Sequence, residues 1–269
     1  MIALAGCSNG TGPDSGGRVG IGFQFARAST AAAMASAENL DPNGTPFTGA
    51  APVVTTTANG LRITRDADVI VISKAQFVIR DVKLKSALAV CADDDDASGA
   101  VSRDNSSASD DDDCPMLRIG PFLVNLPVNG ADGARVSVPV PAGTYSSVRL
   151  TLHKVTSSDS ADAAFRQANP DFRDISVRLE GTYNGTPFAF VSDVNAKLDV
   201  PLPNPLVIGT AGDDVTVSVD LSTWFLRPQA GLYAPALANT PGAVRAAVHN
   251  NIRSAFRVFR DRNRDGRED

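Results

Sequence analysis

The dominant pattern along the chain is alternation of apolar and polar positions with a period of two, the signature of half-buried β-strands. It is clearest from Pro141 to Val155, where Val148, Leu150 and Leu152 share one face and Arg149, Thr151 and His153 the other. Arg18 to Arg27 alternates Val19, Ile21, Phe23 and Phe25 with small or polar residues, predicting a first strand. Ala28 to Asn59 loses all periodicity and reads as a long loop or covering segment, with TAAAMASAENL as a possible short helix. Short strand signals resume at Leu61 to Thr64 and Val69 to Ile72, then Ala75, Phe77 and Ile79 fall on one face. The next apolar positions, Val82 and Leu84, are out of phase, which predicts a β-bulge at Arg80-Asp81.

Further strands are expected at Ile119 to Leu126, at Val136, Val138 and Val140, and at Asp174 to Thr182. Tyr183-Asn184-Gly185-Thr186 is a two-residue hairpin signal leading into Phe188 to Val191. Ala196 to Leu202 and Val215 to Leu221 complete the series. Between them Thr156 to Asp171 is a polar excursion with a helical turn around Asp162 to Gln167. Many short strands without intervening amphipathic helices predict an all-β protein, an antiparallel β-sandwich. After Trp224 the period changes: Thr240-Pro241 reads as a helix start, and Val244, Val248, Ile252, Ala255, Phe256 and Phe259 predict one amphipathic helix against the sheets.

The expected organisation is therefore a tether at 1–17, a β-domain at 18–225, and a helix with a charged tail at 226–269.

Charge changes this picture in one place. Between Cys91 and Cys114 nine Asp against Arg103 make −8, so the rest of a chain of net charge −5 carries +3. Such a run is expected to be solvated and disordered, with a disulfide between Cys91 and Cys114 closing its base in an exported protein. No basic stripe with interleaved aromatics is present, which argues against nucleic acid as a partner.

Leu4-Ala5-Gly6-Cys7 fits a bacterial lipobox, in which the Cys is lipidated. Only six residues precede it, so the charged and most of the apolar parts of a signal peptide would lie upstream. SNGTGPDSGG after it is a flexible tether, and the expected address is the bacterial cell envelope, membrane-bound through lipid on Cys7.

Candidate chemistry is sparse. The chain ends DRNRDGRED, in which Asp261, Asn263, Asp265, the Arg267 carbonyl and Asp269 alternate around a Gly, as oxygen ligands do in a calcium loop. It resembles the front half of an EF-hand or a thrombospondin type-3 loop, with Asp269 at the ninth position; lacking the bidentate acid of the twelfth, it implies weak calcium binding. There is no GxSxG, HExxH, CxxC or phosphate loop, so no catalytic residue is expected. His153 and His249 read as surface or half-buried histidines, and Trp224-Phe225 with Tyr233 as an apolar plug in preference to a sugar platform.

ISKAQFVIRDVKL, a following Cys, IGPFLVNLP, VPVPAGTYSSVRLTLHK and VTVSVDLSTWF, in that order, resemble an uncharacterised group of bacterial lipoproteins with a domain of unknown function. The resemblance spans roughly residues 60–225 and implies a transthyretin-like or immunoglobulin-like β fold, with no functional residues to transfer. Together these readings predict a non-catalytic envelope lipoprotein presenting a β-sandwich to a protein or glycan. A carbohydrate-binding or hydrolytic accessory domain, and a subunit assembling by edge-strand addition, are the alternatives.

Overall fold

The computed structural model describes residues 17–25, 50–86, 116–117, 121–129, 135–209, 213–264 and 267–269. Within them the protein is all-β, with thirteen strands in two sheets and two α-helices. Cys7, Cys91, Cys114 and the acidic insert lie outside the described residues.

The larger sheet is organised by one strand. β1 is Gly17–Phe25, and β2 (Val53–Thr57) and β3 (Gly60–Arg65) form a hairpin that leads into β4, Asp68–Ser86. The two short signals expected at 61–64 and 69–72 are thus a hairpin whose second arm runs on for 19 residues. One edge of β4 takes β3, then β6 (Phe122–Leu126), then β5 (Met116–Leu117). The other edge takes β9 (Val177–Tyr183) along Ile70–Phe77, then β8 (Gly143–Leu152) along Ile79–Ser86. β7 (Arg135–Val140) precedes β8 in the chain but belongs to the other sheet. β10 (Thr186–Ser192) extends β9 through the expected hairpin, with Asn184 at φ 49° and Gly185 at φ 81° as a two-residue turn with both central residues left-handed requires. β11 (Ala196–Ile208) pairs with β8.

The expected bulge is present. The β4–β8 register slips between Arg80 and Lys83, and Asp81 takes φ 54°. Apolar positions therefore stay inward on both sides of it, with Phe77, Ile79, Val82 and Leu84 all buried.

The smaller sheet has the order β13–β12–β1–β7, with β12 at Asp213–Val219 and β13 at Phe256–Arg260. Two expectations fail here. First, β1 and β12 run parallel, so the strands are not uniformly antiparallel. Second, the predicted helix through Phe259 stops early: α2 is Ala243–Ser254, and Phe256–Arg260 is an edge strand on β12. The sequence AFRVFR satisfies both periods, and the open edge of β12 supplies backbone partners that a frayed helical turn lacks. The helix start also differs, since Gly242 at φ 150° holds the N-cap position and the Thr240 hydroxyl donates to the Leu237 carbonyl. A further correction concerns Val53–Thr57, placed by its lack of alternation in the loop 28–59; it is the edge strand β2, half exposed on both faces.

The two sheets share one apolar core. Phe23 of the smaller sheet stacks edge-on to Phe77 and Phe122 of the larger at 6.1 and 6.0 Å, and Phe256 meets Phe77 at 5.9 Å. Val148, Leu150 and Leu152 lie wholly inside it, as alternation predicted. Burying each such side chain stabilises by about 1.5–3 kcal/mol. On the opposite face of β4, Val78 is also fully buried. It is covered by the excursion after β8, which carries a 3-10 turn at Ser160–Asp162, α1 (Ala163–Ala168) and a second turn at Pro170–Phe172. Val78, Val155, Phe165 and Phe172 form a separate small core, with the two rings edge-on at 6.4 Å.

Candidate functional site

At Val78 the partner of β4 changes. The Val78 N–H donates to the Ser176 carbonyl at 2.8 Å beside β9, while its carbonyl accepts from the His153 N–H at 3.0 Å at the end of β8. His153 thus stands where two strands hand over, on the face that alternation assigns to water. The excursion reverses that assignment. Phe165 and Phe172 clamp it over Val78, and its first turn lays Asp162 across the imidazole. His153 is 8% exposed and Asp162 is 0% exposed, so the expectation of a surface or half-buried histidine is corrected here to a buried one.

The polar geometry is specific. His153 Nε2 and Asp162 Oδ1 are 2.7 Å apart, and Asp162 Oδ2 accepts the Thr156 N–H at 2.7 Å. Asp159 Oδ1 accepts the Ala161 N–H at 2.9 Å, and its Oδ2 is bonded to the Arg80 guanidinium. Arg80 also lies 3.6 Å from Asp81 and 4.0 Å from Asp162. The bulge positions this arginine, because the register slip begins at Arg80. Its guanidinium holds the Asp159 carboxyl below the usual carboxylate range, and the same hydrogen bond raises Arg80 further above neutral pH.

An open cleft of about 580 Å³ lies over the cluster, bordered by Arg80, His153, Lys154, Ser158, Asp159 and Lys197. Its lining is hydrophilic and carries both signs of charge. Hydroxyls are present, but Thr156 Oγ1 is paired with Ser158 Oγ at 3.2 Å, and the bond to His153 Nε2 comes from a carboxylate. Within one stretch from 153 to 162 the sequence holds a His, two Asp and several hydroxyls. That clustering was the available signal for this site; the fold of the excursion made it a constellation.

The residues expected to bind calcium are placed differently. Asp261 is fully buried, accepts from the Thr216 hydroxyl at 2.6 Å, and donates its N–H to the Asp214 carbonyl at 3.0 Å. The first carboxylate of the expected loop therefore points into the protein. Asn263, Arg267 and Asp269 are exposed, and Asp269 Oδ2 accepts the Arg262 N–H at 2.5 Å. Asp265 lies outside the described residues.

The aromatic plug is as expected. Trp224 and Phe225 are buried, and Phe225 packs edge-on to Phe190 at 5.2 Å. His249 on α2 meets the buried Ser192 hydroxyl at 2.8 Å, and burial pushes its pKa below the ordinary histidine value. The Ser192 hydroxyl of that pair is closed to solvent, since Ser192 is 0% exposed.

No protein-family model, curated protein or solved structure matches this chain.

Proposed function

We propose that this is a non-catalytic protein of the bacterial cell envelope, held at a membrane by lipid on Cys7, that presents a β-sandwich of transthyretin-like or immunoglobulin-like type to a hydrophilic partner. The partner is a protein or a glycan, and the cleft over His153 is the face it meets. One observation carries the reading: the cleft sets fixed charges of both signs, Arg80, Lys154 and Lys197 with Asp159, beside the hydroxyls of Thr156 and Ser158. Such a surface recognises polar groups through directed hydrogen bonds. The LAGC sequence at residues 4–7 supports the lipid attachment; no helix among the described residues is long and apolar enough to cross a membrane.

Fractionating the native host after labelling with a fatty acid tests the anchor; soluble, unlabelled protein overturns it. A pull-down from envelope extract with wild-type chain and with Lys197→Glu tests the face. A partner retained equally by both refutes the placement at the cleft.

A hydrolytic role is the second reading, favoured by the carboxylate held on the His153 ring. A panel of esterase and glycosidase substrates decides between them: turnover that disappears in His153→Ala installs the hydrolase and removes the binding protein.

A further inference from the structure

A wholly buried carboxylate needs a cation or a full set of donors. Asp162 has no guanidinium or ammonium group in direct contact and only two hydrogen bonds, to one imidazole nitrogen and one backbone N–H, with the nearest guanidinium nitrogen 4.0 Å away. A carboxylate has about four lone-pair sites, so two hydrogen bonds leave acceptor capacity on Asp162 for a further ligand.

The neighbouring groups share an orientation. Asp162 and Asp159 each have one oxygen fixed by a backbone N–H, from Thr156 and Ala161, and each turns its second oxygen toward Arg80. With the His153 ring this gives three ligand-type atoms that all lie within 4.8 Å of one another. Ligands at about 2.0–2.2 Å from one ion stand roughly 3–4 Å apart, so small side-chain rotations bring the three onto a common centre. The backbone bonds to the far oxygens are the outer contacts that orient carboxylate ligands in metal sites.

We propose that His153, Asp159 and Asp162 form a binding site for a divalent transition-metal ion, Zn²⁺ foremost, and that Arg80 is the cation which the metal displaces. One imidazole with two carboxylates suits Zn²⁺ and its neighbours better than calcium or magnesium, which take oxygen ligands. On binding, His153 donates the lone pair of its ligating nitrogen, and any proton held there passes to solvent. Arg80 swings from Asp159 toward Asp81, which is already 3.6 Å away. Three protein ligands leave a coordination position facing the cleft, where a polar group of a partner or a water would complete the sphere. The site stands whether or not the cleft serves the partner proposed above.

The test is isothermal titration of chelator-treated full chain with ZnCl₂ at pH 7 under a phosphine reductant, with bound metal counted by elemental analysis. One Zn²⁺ per chain in the micromolar range or tighter is expected. Asp159→Asn, at a position a third exposed and tolerant of change, weakens binding by about tenfold or more, and His153→Ala abolishes it. Arg80→Gln, which removes the competing cation, binds more tightly than wild type. Binding that survives in both His153→Ala and Asp159→Asn belongs to the cysteines or the Asp-rich insert and overturns the proposal. So does the lack of a stoichiometric site in wild type and Arg80→Gln alike, with circular dichroism showing both folded.

Discussion

Phe172→Ala is the sharpest probe of how the site is held together. Phe172 is 2% exposed and belongs to a core of four buried residues, and that core is what fastens the excursion over His153. Deleting a buried Phe ring costs about 3–5 kcal/mol, and a small satellite core able to collapse around the gap falls near the low end, ~3 kcal/mol. Part of that is the edge-on contact with Phe165, worth about 0.5–1.5 kcal/mol. The two ends of the excursion are joined at its base by few backbone bonds, among them Val155 N–H to the Ile175 carbonyl at 3.2 Å and Asp174 N–H to the Val155 carbonyl at 2.9 Å. The cost therefore appears first as local opening. Native-state hydrogen exchange should show the Val155 and Asp174 amides exchanging about 100-fold faster, at roughly 1.4 kcal/mol per factor of ten, while Leu150 and Phe77 amides change far less. Zn²⁺ affinity should fall in the same variant, because Asp159 and Asp162 ride on the loosened segment. Equal acceleration at Leu150 and Phe77 would mean that the excursion and the sheet unfold as one unit. Acceleration below about fivefold at Val155 and Asp174 would refute the small core as the fastening.

Gly181→Ala places a Cβ 1.9 Å from the Val71 carbonyl oxygen, so β9 must part from β4; a loss of about 2–3 kcal/mol should appear as a lower midpoint in urea denaturation. His249 has its pKa lowered, chiefly by burial, from an ordinary value of 6.5. The unfolded chain then binds the proton more readily, so stability falls as pH drops below about 6.5 and levels off once the folded protein also takes the proton. His249→Gln should flatten that part of the curve when urea midpoints at pH 7.5 and 5.5 are compared. Because Asp261 is buried on Thr216, millimolar Ca²⁺ should leave the thermal midpoint of the full chain unchanged; a clear rise would restore the calcium loop.

What the sequence determined by itself is local and periodic. Alternation assigned Val148, Leu150 and Leu152 to the interior, and a lost beat after Ile79 located the bulge at Arg80-Asp81. Asn184-Gly185 specified its hairpin, because few residue pairs accept positive φ at both positions. Only the tertiary structure decided the rest. AFRVFR fits two periods, and the free edge of β12 made it a strand. Val53–Thr57 lacks alternation because an edge strand need bury neither face fully. Asp261 sits among the charges of an apparent calcium loop, yet a buried hydroxyl on β12 drew it inward. His153 is the plainest case. Placed directly after β8, it continues the alternation on the side that points to water, and a segment beginning three residues later covers it with Asp162. Periodicity reports which face of a strand a side chain occupies; what later folds across that face depends on contacts distant in sequence, such as Val78 with Phe172.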